Sequence, residues 1–437
     1  MDSVRYEFSR DIPLQIEADV IVVGGGPGGL GAAVMAARAG AEVVLVERYG
    51  LPGGMASVGE VHPFMPNHVK QQALDHPVYV EWVERIHRYL PEDIETRCPY
   101  DPEANTGSSR MLSKDVAAMA AEDLLLEAGV RVIYHHAVVD VLRSGRMIDA
   151  LVLGSKSGYS AARAKVYVDC SGDGDVAALA GCGFEQGGPS GHSQPMTLCF
   201  KLSGVDRSRI PERKELNTLF LAAKERGEIN SPREDILSFS YYDEDVVHFN
   251  TTRVIHKNAV NGLELAAAEL EGHSQMREYI AFFRKYVTGF ENAMLHSMAH
   301  HIGVRESRRV KGIAYATREV FDKAQKFADG IARIRYMIDI HNPNGSGTEK
   351  AFVAPDDFYE VPYGCVVAAD VDNLTVGGRP VSVDHALHSS LRVMPSACSL
   401  GQAAGMGAAL AVRDGVTPAA VDGKKVRAEL IKQGARL

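Results

Sequence analysis

The chain has 437 residues, 46% of them hydrophobic, and it carries a formal net charge of −9 at pH 7. This length suffices for two domains or for one large composite domain with a sizeable core. The acidic balance argues against a general binder of nucleic acid or of anionic membranes.

Targeting and redox signals are absent from the sequence. No stretch approaches the roughly 20 apolar residues of a membrane span. The start, Met1–Glu17, is polar, which predicts that there is no signal peptide. The six cysteines are scattered without a C-x-x-C pair, which argues against a metal knuckle or a redox dithiol. We therefore expect a cytoplasmic protein with reduced thiols and no membrane partner.

The first predicted element is a buried strand that runs into a glycine-rich turn, after a loose lead-in that extends to Ala18. Val20–Val23 is an uninterrupted run of β-branched and apolar residues, as expected for a strand covered on both faces of a parallel sheet. Gly24, Gly26 and Gly29 follow with the spacing G-x-G-x-x-G. In a dinucleotide-binding turn these glycines permit the tight turn, the approach of a pyrophosphate and the packing of helix on strand.

A helix and a second strand complete this unit. The helix is predicted over about Gly28–Ala39, because it is rich in small residues and stops at Gly40, and the strand over Glu42–Val46. Glu47 follows 18 positions after Gly29, close to the roughly 20 expected for a carboxylate that binds an adenosine ribose. The unit predicts binding of the ADP half of a dinucleotide, and it leaves FAD and NAD(P) open.

The next elements alternate between helices and strands until the composition changes near Pro189. Polar, turn-rich sequence over Pro91–Ser109 predicts a surface loop. Helices are predicted over Tyr79–Tyr89, from the N-cap Ser113 to about Ala128, and over Gly262–Gly289, Asn292–Ile302 and Pro395–Arg413. Strands are predicted over Val130–Tyr134, Ala137–Leu142, Met147–Leu153, Thr197–Leu202 and Val246–Val254.

Two later segments return to the style of the first unit. In 164–175 a buried strand enters a turn that contains Gly172 and Asp173, and Leu374–Arg379 is a short strand with a glycine turn. Junctions of this kind face a cofactor at the carboxyl ends of parallel strands. The sequence therefore predicts a cofactor domain built from 1–189 and 361–437, with a substrate or cap domain over 190–360 inserted between them.

Five segments together resemble one known family. They are 22–55, 164–181, 302–315, 372–382 and 391–410. The chain is similar to the FAD-dependent oxidoreductases of the glutathione-reductase-like flavoprotein superfamily, and within it to a bacterial family distantly related to the fumarate reductase flavoprotein. The resemblance implies an α/β fold: a Rossmann-like FAD-binding domain, whose parallel sheet carries a β-meander, plus an inserted mixed α+β substrate or cap domain.

The resemblance also implies which residues contact FAD. Each implied contact lies in one of the matching segments. By this resemblance the pyrophosphate is contacted by Gly24, Gly26 and Gly29, the adenosine ribose by Glu47 and the adenine by Arg48. The resemblance places Gly54 and Met55 near the pyrophosphate or flavin, Gly172 and Asp173 beside the ADP half, and Gly378 and Arg379 in a second FAD motif. It also implies that a helix N-terminus under the flavin is formed by Gly401, Gln402 and Ala403. Such an N-terminus would stabilise negative charge on the flavin.

A second glycine fingerprint for a nicotinamide cofactor is not evident in the sequence. We therefore expect FAD to exchange electrons with a small-molecule substrate, or with a separate electron carrier, and not with a nicotinamide domain of this chain.

Candidates for acid–base chemistry and substrate binding lie mainly in the middle block. Arg305 heads a charged cluster after Gly303, where it could clamp an anion or act as an acid, the alternative being a structural ion-pair cluster. His341 follows Asp339 at a spacing that points both side chains the same way along a strand, as for an oriented general base. The alternative interpretation of this pair is the end of a surface strand.

Three further candidates are weaker. His62 follows the glycine-rich loop that should reach the flavin, and Arg392 follows the Arg379 motif together with two histidines. His296 and His300 have a spacing that binds metals when it lies on a helix, but no nearby acid completes a set, so we expect no metal site.

Two kinds of function agree with these features. The first is a flavoenzyme that transfers hydride between flavin N5 and a small polar molecule such as a sugar, a hydroxy acid or an unsaturated carboxylate. In this interpretation His341 or His62 is the base, and Arg305 or Arg392 holds the substrate. The alternative is an FAD-binding subunit of a redox complex, or a protein in which the flavin is mainly structural. The many His, Arg and Tyr residues of the middle block favour the first.

Overall fold

The computed structural model describes residues 11–70, 72–91 and 113–437. No helix within these residues combines the length and the apolar character that crossing a bilayer requires. Ten α-helices are described: α1 Pro27–Arg38, α2 Val78–Arg88, α3 Lys114–Glu127, α4 Asp175–Leu179, α5 Arg213–Glu225, α6 Gly262–Tyr286, α7 Arg318–Asp322, α8 His385–Leu391, α9 Met394–Asp414 and α10 Gly423–Lys432. The strands are β1 Leu14–Val23, β2 Val43–Val46, β3 His68–Val69, β4 Gln72–Ala73, β5 Arg131–Ile133, β6 Ala137–Ser144, β7 Met147–Ser155, β8 Gly158–Asp169, β9 Phe184–Gln186, β10 Phe200–Ser203, β11 Ser238–Ser240, β12 Val247–Phe249, β13 Met294–Met298, β14 Arg308–Val310, β15 Gly330–Ile334, β16 Ile338–His341, β17 Thr348–Ala351, β18 Tyr359–Pro362 and β19 Leu374–Val376.

The predicted strand–turn–helix unit is confirmed. The turn requires glycine at Gly24, whose φ is +96° and where a Cβ atom would lie 2.4 Å from the Cys170 carbonyl oxygen. Proline at the first helical position starts α1, where its missing N–H costs nothing. The strand begins at Leu14, earlier than predicted, because 14–18 pair with β8. A loose lead-in up to Ala18 is therefore wrong for 14–18, and Met1–Arg10 lies outside the described residues.

The main sheet has seven strands and confirms the predicted α/β fold with a β-meander. Its order is β5-β2-β1-β8-β7-β6, with β19 also paired to β8. The pairs β5–β2, β2–β1, β1–β8 and β8–β19 are parallel, whereas β8–β7 and β7–β6 are antiparallel. Residues 20–23 of β1, 166–168 of β8 and the strands β2 and β19 are buried throughout, which explains their continuous apolar sequences. Their carboxyl ends bring the first turn, the 170–174 turn and the 377–379 turn to one edge.

A second, four-stranded antiparallel sheet carries the middle of the chain. Its order is β11-β12-β10-β13, and the helix α6, capped by Asn261, contributes Tyr279 and Phe283 to the same core. The predicted helix over Asn292–Ile302 is wrong, because Met294–Met298 pairs with β10 as an edge strand. Tertiary pairing outweighs the local helix preference of these residues. His296 and His300 therefore do not share a helix face.

Helices from opposite ends of the chain, α1 and α9, cross at very short distance. A Cβ atom on Gly401 would lie 1.9 Å from the Gly28 carbonyl oxygen, and one on Gly405 would lie 2.1 Å from the Ala32 oxygen. On the facing helix, a Cβ on Gly31 would lie 2.2 Å from the Cys398 oxygen. Only glycine permits backbones to approach this closely, so the small residues of both helices fix the position of the first turn.

The hydrophobic cores show how the chain divides. One core combines α1 and α9 with residues between Ala316 and Val367, and a separate core is formed entirely by residues from Met196 to Val304. The boundaries predicted at 189 and 360 stay a prediction. From the packing we propose a narrower cap that spans about 196–304.

A buried carboxylate beneath α9 makes stability depend on pH. Asp75 is 1% exposed and accepts hydrogen bonds from Asn67 Nδ2, 2.9 Å from each oxygen, and from Ser399 Oγ at 2.9 Å. Burial raises the pKa of Asp75 to about 7, against its hydrogen bonds. The stabilisation from this group is therefore complete below the unfolded-state pKa of about 3.8 and is lost as the pH rises to about 7.

We expect the unfolding free energy of the wild type to fall, relative to Asp75→Asn, by up to about 1.4 kcal/mol per pH unit between pH 4 and 7. Urea unfolding of both proteins at pH 5, 6 and 7 measures this difference. Parallel pH dependences for the two proteins would contradict the shifted pKa.

Candidate active site

A cavity lies at the carboxyl edge of the parallel sheet. Its volume is about 200 Å³, and its wall comes from the first turn, the 170–173 turn, the 377–379 turn and the start of α9. Ten of the residues assigned to the cofactor from the sequence line it: Gly24, Gly26, Glu47, Arg48, Gly54, Met55, Gly172, Asp173, Gly378 and Arg379. A wall of glycine backbone beside a helix N-terminus is suited to a pyrophosphate.

Glu47 holds the first turn as well as lining the cavity. Its Oε2 accepts from Gly25 N at 2.6 Å and its Oε1 from Tyr49 N at 2.8 Å, and the residue is 5% exposed. Burial raises the pKa of Glu47, and the two backbone donors oppose this rise. A carboxylate has about four lone-pair sites, so it can also accept from a ribose hydroxyl.

The loop after Glu47 folds back onto the first turn. It enters a short 3₁₀ helix at Gly54, where a Cβ would lie 2.7 Å from the Gly26 Cα. This contact brings Met55 to the cavity wall. The same helix later provides the Ala56 carbonyl that orients His62 at 2.9 Å.

The second and third turns are locked to one another by an arginine. Arg379 Nε donates to the Gly172 carbonyl oxygen at 2.7 Å, and its Nη2 forms an ion pair with Asp173. Asp169, fully buried, accepts from Ser171 N at 3.0 Å and Ala177 N at 2.9 Å and so shapes the 170–177 turn. Arg379 is thus engaged by protein groups, and its side chain closes the cavity wall between the two turns.

Four residues assigned to the cofactor do not line this cavity. Gly29 packs against the Gly24 carbonyl oxygen, where a Cβ would lie at 1.7 Å. Gly401, Gln402 and Ala403 lie in the third turn of α9, so the prediction that they form a helix N-terminus is wrong. Gln402 instead accepts from Val78 N at 3.1 Å.

The N-terminus of α9 lies earlier, next to the cavity. The predicted helix over Pro395–Arg413 is confirmed, with a start at Met394 and proline in the first turn. Met394 and Ala397 line the cavity. The unpaired N–H groups that were expected at Gly401 are therefore offered by the first turn of α9.

A second, larger cavity of about 640 Å³ adjoins the first. Its wall combines the cap, residues 61–65 before β3, and β16. It contains all four predicted catalytic candidates: His62, Arg305, His341 and Arg392. Met55, Val304, Arg392 and Met394 line both cavities. A ligand that fills the first cavity can therefore present one end to the contents of the second.

Arg392 and Asp339 form an ion pair at the junction of the cavities. Arg392 Nη2 lies 3.2 Å from Asp339 Oδ2. Burial would raise the pKa of Asp339, but the hydrogen bond from His341 and the charge of Arg392 outweigh it and hold the pKa well below its usual range. Asp339 is therefore a carboxylate at neutral pH, and its negative charge is already matched.

Arg305 has a different environment. Its Nη1 donates to the Pro195 carbonyl oxygen at 2.9 Å and to Thr197 Oγ1. No carboxylate among the described residues pairs with it. Burial and the charges of Arg392 and Arg233 lower the pKa of Arg305 to about 9, so it remains a cation at neutral pH.

The other members of the charged cluster after Gly303 form ion pairs within the protein. Arg309 and His385 Nδ1 both bind the buried Glu306 carboxylate, the histidine at 2.8 Å. Arg308 pairs with Asp175 at 2.9 Å.

The two candidate bases differ in how their ring nitrogens are used. His341 Nε2 lies 3.4 Å from Asp339 Oδ2, as the spacing predicted, and Nδ1 lies 3.2 Å from Arg253 Nη2. Burial and the charge of Arg305 lower the pKa of His341 to about 3, although Asp339 opposes this. Both nitrogens of His341 are therefore engaged by neighbouring side chains.

His62 has one unengaged nitrogen. Its Nε2 contacts the Ala56 carbonyl oxygen and must donate to it, which leaves Nδ1 as an acceptor. Nδ1 is buried with no partner among the described residues, and the ring stacks on Phe64 at 5.5 Å. Burial and the charge of Lys201 lower the pKa of His62 to about 3, so the ring is neutral at physiological pH.

Sequence reasoning missed several lining residues, and Arg233 and His136 are examples. Arg233 lies in an irregular segment between α5 and β11 and lines the larger cavity, and no motif surrounds it. His136, which lines the first cavity, follows β5 and precedes β6. Its signal was position alone, since it lies at the carboxyl end of a parallel strand next to β2. Within the described ranges, no cluster of His, Cys, Asp or Glu has the geometry to hold a metal.

Comparison with known proteins is consistent with this architecture. A family model described as "FAD dependent oxidoreductase" matches residues 19–430. A search of curated proteins found no match.

Among solved structures, a triple mutant of the flavin-dependent brominase Bmp2 is similar, with 14% identity, 95% of this chain and 84% of that chain covered, and a TM-score of 0.50. A geranylgeranyl bacteriochlorophyll reductase-like protein from Thermoplasma acidophilum matches with 12% identity, coverage of 96% and 84%, and a TM-score of 0.44. OxyS anhydrotetracycline hydroxylase from Streptomyces rimosus matches with 13% identity, coverage of 96% and 66%, and a TM-score of 0.46. At these identities the similarity to Bmp2 shows the fold alone.

Proposed function

The chain belongs to the family of FAD-dependent oxidoreductases, and we propose that it transfers a hydride between a small polar organic molecule and the N5 atom of FAD. The observation that carries the proposal is the shared wall of the two cavities, formed by Met55, Val304, Arg392 and Met394. A cofactor held along the first cavity would have its reactive end at this wall, where the second cavity would present a substrate. We also propose that this family is distantly related to the fumarate reductase flavoprotein.

We propose that FAD is held by the chain's own backbone and by a few side chains. The first turn and the N-terminus of α9 offer N–H groups to its negative charges, and Glu47 accepts from its ribose. Arg48, Gly54, Gly172 and Gly378 complete the wall. When bound, FAD accepts or donates the two electrons of the reaction. A second substrate or an external electron carrier would complete the cycle.

Each catalytic candidate has a distinct proposed role. His62 Nδ1 accepts the proton of a substrate hydroxyl as the hydride leaves the carbon that bears this hydroxyl, because its lone pair is unengaged and His62 lines the larger cavity. His341 lies between Asp339 and Arg253. Its proposed role is to hold these two side chains in place, and it does not transfer a proton. Arg392 and Arg305 hold polar groups of the substrate.

An anaerobic screen tests the function directly. Purified protein should be yellow and lose its colour with dithionite, and a small polar metabolite should bleach it in the same way. A protein that stays colourless after FAD is added would contradict the proposal, and so would rapid bleaching by NADPH alone without any other substrate.

The pH dependence of the proposed reaction follows from His62. Its pKa of about 3 lies below the ordinary 6.5, so the neutral, proton-accepting form persists as the pH falls from 8 to 5. We expect kcat/KM to stay flat over this range. A base with an unshifted pKa would lose about tenfold by pH 5.5. An acid limb centred near pH 6.5 in stopped-flow flavin reduction would contradict the assignment.

A further inference from the structure

The larger cavity is cationic although the chain as a whole is acidic. The net charge of the chain is −9. The charged residues of the cavity wall are the cations Arg213, Arg233, Arg305, Arg392 and Lys350 and the anions Glu234, Asp235 and Asp339. A cavity of opposite sign to its protein attracts ligands of the protein's own sign.

The carboxylates of the wall are already matched by cations. Asp235 pairs with Arg213 at 2.5 Å and with Arg233 Nε at 3.2 Å. Asp339 pairs with Arg392 and with His341. The excess positive charge of the cavity is therefore located on cationic donor groups that do not pair with these carboxylates.

One such group is the Nη1 donor of Arg233, a guanidinium that Asp235 contacts only through Nε. The Arg233 side chain is 6% exposed, and its Nη1 is buried with no hydrogen-bond partner among the described residues. A buried donor of a charged group that lacks a partner is costly, since its lost hydration is not replaced. The Nη1 donor is thus suited to an acceptor that the cavity receives from outside.

The other group is Arg305, which has neutral acceptors and no carboxylate partner. The charge of Arg233 acts on Arg305 and opposes its burial as a cation. An anion between Arg233 and Arg305 would reduce the repulsion between their charges and would provide hydrogen-bond acceptors for both guanidinium groups.

We infer that Arg233 and Arg305 form a carboxylate-binding subsite, and that the substrate of this enzyme is an organic acid. That the bound acid is a substrate rests on the proposed function. That an acid binds at this subsite rests on the residues of the cavity alone. The subsite lies off the shared wall, because neither arginine lines the first cavity. The carboxylate would thus be held away from the reacting carbon. The apolar wall at Phe64, Leu237 and Phe239 would accept the rest of the acid.

Matched acids and amides test the subsite. We would titrate the FAD-loaded protein by calorimetry with glycolate and mandelate and with the corresponding amides, which differ only in the anionic group. We expect each acid to bind at least about tenfold more tightly than its amide. In Arg233→Gln the acids should lose affinity by on the order of tenfold to a hundredfold, while the amides change little.

Variants at three positions keep the result interpretable. Arg305→Gln should repeat the loss, and Arg233→Lys should restore part of the affinity because it keeps the charge. Arg209→Gln removes the same charge from an exposed surface pair with Glu291 and should leave binding unchanged. Amides that bind as well as acids, acids that do not bind, or an unchanged affinity in both glutamine variants would overturn the subsite.

The binding and the redox results separate the two proposals. Acids that bind through Arg233 while no compound bleaches the flavin would leave the subsite intact and contradict the hydride transfer. A neutral sugar that bleaches the flavin while no acid binds would leave the transfer intact and overturn the subsite.

Discussion

Replacing Gly401 by alanine is expected to destabilise the protein by about 3 kcal/mol and to release bound FAD. The new Cβ would lie 1.9 Å from the Gly28 carbonyl oxygen, and this obstacle is backbone, so no rotamer change can relieve it. The helices α1 and α9 must separate, and Gly28 moves with the turn that lines the first cavity. Thermal unfolding and the ratio of flavin to protein absorbance measure both effects.

Gly262→Ala is the matched control. Gly262 opens α6, and nothing lies within 4 Å of the Cβ it would gain. Alanine is the better helix former, so this variant should keep its FAD and its stability. Equal behaviour of Gly401→Ala and Gly262→Ala would show that the close crossing of α1 and α9 does not fix the cofactor turn.

His62→Phe is expected to lower kcat by roughly a hundredfold to ten-thousandfold while FAD stays bound. Phenylalanine can keep the stacking on Phe64, but it removes the only unengaged ring nitrogen among the two candidate bases. Single-turnover flavin reduction, with the substrate identified by the anaerobic screen, isolates the proton-coupled step from product release.

His341→Asn is the comparison for this prediction. The ring of His341 is bound on both sides, by Asp339 and by Arg253, so its loss should raise KM and change kcat by less than about tenfold. His62→Gln should recover part of the activity, because an amide can donate to Ala56 and still accept. The reverse order, with His341→Asn the more damaging to kcat, would transfer the role of base to His341.

The first cavity was largely predictable from sequence because its walls are local motifs. A strand of buried residues followed by a glycine turn leaves the chain few alternative conformations. Gly24, Gly26 and Glu47 lie at the cavity as their spacing predicts. The second cavity was only partly predictable. His62, Arg305, His341 and Arg392 were identified one by one, but their meeting in one wall depends on pairings such as β16 with β17 that no short segment specifies.

The errors have physical causes of the same kind. Small residues along 394–414 predict close packing, but not which turn of the helix lines the first cavity. Met394 and Ala397 line it, and Gly401 does not. The 294–298 segment has residues that suit a helix, and its pairing with β10 decides otherwise. Arg233 has no local signal, since its environment is made by Asp235 and the folded cap.

The crossing of α1 and α9 sets an order of events during synthesis. Gly28 and Gly401 touch in the folded protein but are 373 positions apart in the chain (401 minus 28). At a synthesis rate of about 5 to 20 residues per second, roughly 20 to 75 s pass between the synthesis of α1 and that of α9, which covers it. During that interval the small-residue face of α1 has no partner, and the first cavity lacks the wall that α9 provides. The first cavity is therefore complete only after α9 has been made.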